Sequence, residues 1–198
     1  LRILHPFLKQ PIPTMQYNVQ QLIDRQKKGE TFDFLFFWGH RPSKEGRVTQ
    51  SCFSQWWAGH PFKVGDTLYR TAEHWMMAEK ARLFGDEPIE NLILKASSPS
   101  AAKAFGRKIQ HFEELLWQQA KFNIVKMGNI HKFRQPDLAA FLLATGDKIL
   151  VEASPTDRIW GIGLDAAHPD AARPQTWRGE NLLGFALMEV RDDLFATQ

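Results

Sequence analysis

Hydrophobic positions along the chain recur at two different spacings, and the change from one to the other divides the sequence into elements. Phe32-Asp33-Phe34-Leu35-Phe36-Phe37-Trp38 is a short aromatic run that suits a strand, and the span 39–46 that follows it, glycine at both ends, reads as a loop. A second aromatic segment, 52–57, leads into Pro61-Phe62-Lys63-Val64 and Thr67-Leu68-Tyr69, and Gly65-Asp66 between them is the turn signal of a hairpin. From Thr71 the spacing becomes helical. Thr71 is placed to cap a helix ending near Gly85. Pro88 stands in the first turn of the next, with Ile89, Leu92 and Ile93 on one side, and Ser98-Pro99 repeats the start signal before 101–107. A longer helix is expected over 112–126, carrying Leu116, Ala120 and Ile124 at steps of four. Pro136 opens another over 137–144, which Gly146 closes. Residues 148–152 read as a short strand and 166–177 as a proline-interrupted irregular stretch. Asn181 begins a last amphipathic helix with Leu183, Leu187, Val190 and Leu194 at helical spacing.

At 198 residues the chain is long enough for one sizeable core. Residues 1–30 read as an N-terminal extension, with Pro6, Pro11 and Pro13 followed by a short polar helix ended by Gly29, so the main domain is expected over 31–198. The formal charge of +3 resides in that first segment, where Arg2, Lys9, Arg25, Lys27 and Lys28 stand against Asp24 and Glu30, five minus two. The rest of the chain is neutral overall, so no long-range surface for nucleic acid is indicated, although a local basic pocket for phosphate stays open. The single cysteine, Cys52, excludes an internal disulfide and offers no cluster for zinc. No apolar run approaches the roughly 18 residues that cross a bilayer, and residues 1–8 lack the pattern of a signal peptide. A cytoplasmic protein with no membrane partner is the expectation.

The chemistry-bearing motifs narrow the field. No Gly-x-Gly-x-x-Gly, phosphate-loop or Gly-x-Ser-x-Gly sequence is present, and His74, His111 and His131 lack a metal-binding spacing. No cofactor and no metal are expected. Glu73, by contrast, falls on the helical stripe of Met77, Ala81 and Phe84. A carboxylate on an apolar stripe loses solvation and must be paired, protonated or used. Asp157 supplies a second carboxylate in a loop bracketed by Pro155, Trp160, Gly161 and Gly163. Two such groups facing one cleft suffice for acid/base cleavage of a glycosidic bond. The tryptophans at 38, 56, 57, 75, 117, 160 and 177 either fill a core or line a pocket for flat rings.

The chain resembles the NADAR family, which includes the YbiA-like N-glycosidases. The resemblance is carried by Phe62-x-Val64-Gly65-Asp66, Tyr69-x-Thr71-Ala72-Glu73-His74, Lys80-Ala81, Gly106-Arg107, Lys121-Phe122 and Leu143-x-Thr145-Gly146. It continues through Leu150-Val151-Glu152-x-Ser154-Pro155-x-Asp157-x-x-Trp160-Gly161-x-Gly163 and Trp177-x-Gly179-x-Asn181-x-Leu183-Gly184-x-x-Leu187-Met188-Glu189-Val190-Arg191, from about residue 32 to 194. It implies a compact single α+β domain, helix-rich with a small sheet, that hydrolyses N-glycosidic bonds between a ribose and a base-like group.

On this resemblance Glu73 is the ribose-facing carboxylate, with an ion pair to Lys80 or an arginine as the alternative. Asp157 holds ribose hydroxyls or assists water, or else caps its own loop. Trp160 is an aromatic wall, with Trp38 or Trp75 as another, or all three knit the core. Lys80 and Arg107 are candidate phosphate contacts, and Asn181 either donates to substrate or caps the last helix. The expected substrate is a phosphorylated ribosylamino-pyrimidine intermediate of riboflavin biosynthesis, cleaved by water to release ribose 5-phosphate. The alternatives are an ADP-ribosyl-guanine hydrolase, which would admit ADP-ribosylated nucleic acid as a partner, and a noncatalytic ADP-ribose or nucleotide-binding module.

Overall fold

The computed structural model describes residues 15–197, so the proline-bearing start of the expected extension lies outside the described residues. The elements in chain order are α1 (Val19–Lys27), β1 (Phe34–Phe37), β2 (Phe62–Val64), β3 (Thr67–Tyr69), α2 (Ala72–Phe84), α3 (Glu87–Lys95), α4 (Pro99–Gly106), α5 (Glu114–Lys132), α6 (Pro136–Leu143), β4 (Ile149–Glu152) and α7 (Leu182–Ala196). This is the helix-rich α+β arrangement expected, with its strands in one parallel and one antiparallel pair among the described residues. The chain divides into two units, Gln55–Lys132 and Met15–Ser54 with the chain from Phe133 onward.

The first unit is organised around α2. The hairpin β2–β3 pairs Phe62 with Tyr69 and Val64 with Thr67, turning at Gly65 with φ 57°. Thr71, in extended conformation, accepts the His74 N–H on its hydroxyl and starts α2; Gly85 ends it in the left-handed region. Nearly every residue of α2 is buried, the state expected of a helix surrounded by other elements. Asp86 caps α3 through one carboxylate oxygen and accepts the Gln110 N–H on the other, while Ser98 caps α4 ahead of Pro99. The largest departure from the expected boundaries is at the end of α5, which runs on to Lys132 instead of ending near 126. Its small and apolar face continues through Val125 and Gly128, and Trp75 of α2 lies so close that a Cβ at Gly128 would stand 2.4 Å from the indole Cδ1. Tertiary packing thus carries the helix past a glycine that local propensity disfavours.

In the second unit β1 and β4 are parallel, Phe34 beside Ile149 and Phe37 beside Glu152. Helix α7 covers β4 and α6 packs on α7. Gly184 permits the close approach, since a Cβ there would lie 2.1 Å from the Leu150 carbonyl oxygen. Of the expected extension, residues 15–30 are folded into this unit. Asn18 and Gln21 form a capping box at the head of α1 and Leu22 is buried. The Gln16 N–H donates to Glu189 and the Tyr17 hydroxyl donates to Asp192 at 2.7 Å. Burial, then that bond, push the Tyr17 phenol up to about 12.

Candidate active site

Glu73 occupies the first turn of α2, where a carboxylate is favoured by the helix dipole, and is only 2% exposed. Its N–H donates to the Gln55 carbonyl at 2.9 Å; the Gln55 side chain accepts from Asn129 at 3.0 Å, and Asn129 also donates to the Val125 carbonyl. Glu73 therefore neither faces bulk water nor stands without interaction partners. Two turns along, the half-buried Lys80 ammonium donates to the Gly106 carbonyl at 3.4 Å and lies 4.4 Å from the Phe112 ring centroid and 5.3 Å from that of Trp117. Burial pulls the Lys80 ammonium below its ordinary value, and the Glu114 and Glu73 carboxylates oppose that shift. The structure thus brings Glu73 and Lys80 within electrostatic reach. Arg107 follows Gly106 at the end of α4 with an exposed side chain.

Trp75 has a different place. It is 5% exposed, its indole N–H donates to the Ile124 carbonyl at 2.8 Å, and it meets Tyr69 edge-on at 5.1 Å. These contacts give it the core role that the sequence left as the alternative to a substrate wall.

In the second unit the parallel register brings the carboxyl ends of β1 and β4 to one edge. Trp38 follows β1 there and is 59% exposed. The loop after β4 carries Asp157, whose Oδ1 accepts the N–H groups of Ile159 (2.9 Å) and Trp160 (2.8 Å). The Asp157 carbonyl also accepts the Gly163 N–H at 3.0 Å. The aspartate braces the turn that presents the half-buried Trp160, which is the loop-capping alternative.

Asn181 is fully buried, with φ 53°. Its amide donates to the Leu150 carbonyl and accepts from the Glu152 N–H, leaving no side-chain cap bond to α7. Both ends of the amide serve the backbone of β4, so it latches the start of α7 to that strand instead of capping the helix.

Several further buried polar groups lie outside the candidates that the sequence motifs single out. Lys121, Asn129 and Lys132 are at most 5% exposed and share one face of α5 with Val125. The signal that marked Glu73, a polar residue on an apolar helical stripe, marks these as well. Glu152, half-buried at the end of β4, has its N–H held by Asn181 and its carbonyl by the Ile162 N–H. Among the described residues, no group of three or more His, Cys, Asp or Glu is arranged to hold a metal, and no helix is long and apolar enough to cross a membrane.

The first unit thus carries a buried glutamate at the head of α2, and the second an aspartate-braced tryptophan loop, in a helix-rich α+β fold. The chain belongs to the NADAR-domain family, whose domain matches residues 36–195. It is similar to N-glycosidase R617 of Acanthamoeba polyphaga mimivirus, 41% identical over 83% of this chain and 98% of that protein. It is also similar to N-glycosidase YbiA of Escherichia coli (strain K12), 34% identical over 73% of this chain and 79% of that one. The NMR structure of the E. coli protein YbiA superposes with a TM-score of 0.66 at 29% identity, covering 85% of this chain and 88% of that chain. At the level of the family, the activity is that of an N-glycosidase hydrolase.

Proposed function

We propose that this chain hydrolyses the bond between the anomeric carbon of a phosphorylated ribose and the amino nitrogen of a pyrimidine, of the kind formed in riboflavin biosynthesis, releasing ribose 5-phosphate. The observation that carries the proposal is the buried Glu73 carboxylate with the Lys80 cation acting on the same region of α2. Cleavage of a C–N glycosidic bond builds positive charge on the ribose ring while the departing nitrogen takes the bonding electron pair. Glu73 is assigned to stabilise the ring and to orient the attacking water, whose oxygen bonds to the anomeric carbon while one of its protons is delivered to the leaving nitrogen. Lys80, with Arg107 as the planar fork, is assigned to the phosphate. In the second unit, Trp160 on the turn braced by Asp157 and the exposed Trp38 offer aromatic faces on which a flat base can stack.

The test incubates the folded protein in parallel with ribosylamino-pyrimidine phosphates, ADP-ribosylated guanine oligonucleotides and NAD. Release of ribose 5-phosphate from the first supports the proposal; none from that class, with cleavage of the second, transfers the activity to ADP-ribosyl-guanine. Glu73→Gln is expected to lower kcat by about 100-fold or more while substrate binding and fold are retained. Unchanged turnover in a folded Glu73→Gln protein removes Glu73 from the chemistry.

A further inference from the structure

The first unit contains a pocket of about 210 Å³ that does not include Glu73 among its lining residues. Its walls are apolar, formed by Pro61, the half-exposed Leu68 and Pro99. Thr71 and His74 make its floor. The His74 Nε2 lies 3.1 Å from the Ala96 carbonyl, which can only accept, so Nε2 carries a proton. Nδ1 lies 2.8 Å from the Thr71 hydroxyl and accepts from it. Burial first, with the charge of Arg70 adding to it, holds His74 below the ordinary histidine value. The floor is therefore polar but neutral, and its donors are used.

Arg70 and Ser97, at the rim, differ from the floor. Arg70 is exposed and makes no ion pair or hydrogen bond among the described residues, and the Ser97 hydroxyl is likewise uncommitted. A cation without a protein acid, set over apolar walls and a neutral floor, selects the charge of what fills the space. The volume is below the roughly 300–1,000 Å³ of pockets that take drug-sized ligands, which excludes a whole dinucleotide.

We propose that this pocket binds a small organic oxyanion, a compact apolar or flat body bearing one phosphate or carboxylate group held by Arg70. The planar guanidinium fork matches either group, and the prolines and Leu68 cover the body. The site is separate from the Glu73 chemistry and stands or falls independently of it.

Backbone amide NMR shifts of the chain titrated with phenyl phosphate, benzoate, benzyl alcohol and inorganic phosphate test the assignment. The expected result is movement of the Leu68, Arg70 and Ser97 amides, with phenyl phosphate and benzoate bound about tenfold or more tighter than neutral benzyl alcohol. Inorganic phosphate, lacking the body, is expected to bind more weakly than phenyl phosphate. Arg70→Met, which keeps the stem of an exposed side chain, is expected to erase the preference for anions and leave the melting temperature unchanged. Leu68→Ser is expected to weaken the three ring compounds together. Equal binding of charged and neutral rings, an anion preference that survives Arg70→Met, phosphate binding as tight as phenyl phosphate, or shifts confined to other residues would each overturn the proposal.

Discussion

At the scale of single residues, the interior polar groups are the ones whose surroundings decide their behaviour. His74 is 1% exposed and held below its ordinary value of 6.5 by burial. With the folded value depressed, the unfolded chain binds more protons between the two values, so stability rises with pH across that window. It is lost as pH falls through 6.5 toward the folded value, with a slope from this group of up to about 1.4 kcal/mol per pH unit. Urea unfolding between pH 5 and 8 checks this, and a His74→Gln protein should show a correspondingly flatter profile. Asn181 gives a second expectation. Asn181→Leu strips partners from the Leu150 carbonyl and the Glu152 N–H and should cost about 2–4 kcal/mol of unfolding free energy, read by urea unfolding. Glu73 was legible in the sequence because its misfit is local, one acid on an apolar stripe. The roles of Asn181 and Trp75 were not, because their partners, Leu150 and Ile124, lie far away along the chain.

At the scale of elements, periodicity and caps located most of the helices and the hairpin. Thr71, Ser98 and Gly85 act where their local chemistry indicated. Elements departed from expectation where another element intervened, as α5 did when Trp75 supported it beyond the point at which its own pattern fades. Close approach carries its own prediction. Gly184→Ala sets a methyl group against the Leu150 carbonyl, a backbone atom that cannot swing aside, and should destabilise the protein by about 1–3 kcal/mol despite the better helix propensity of alanine. A melting temperature at or above that of the parent would show that α7 does not rest on β4 as closely as described.

For the whole molecule, the division at Thr31 is open to a direct measurement. The segment 15–30 buries Leu22 and bonds through Gln16 and Tyr17 to α7, so it is part of its unit. A chain beginning at Thr31 should melt below one beginning at Met15, the loss of the Leu22 side chain alone being worth about 1.5–3 kcal/mol. Equal melting of the two would establish residues 15–30 as an appendage.

The sequence by itself determined the α+β class, the family motifs and most helix starts, and it marked Glu73 as a candidate, because period, cap and solvation cost act over a few neighbouring residues. Only the tertiary structure decided that β1 pairs in parallel with β4, that Asp157 braces Trp160, that Asn181 serves a strand and that Lys121, Asn129 and Lys132 are buried on one face. Strand pairing, burial and the satisfaction of a polar atom are properties of what lies opposite in space. Spacing along the chain does not carry that information.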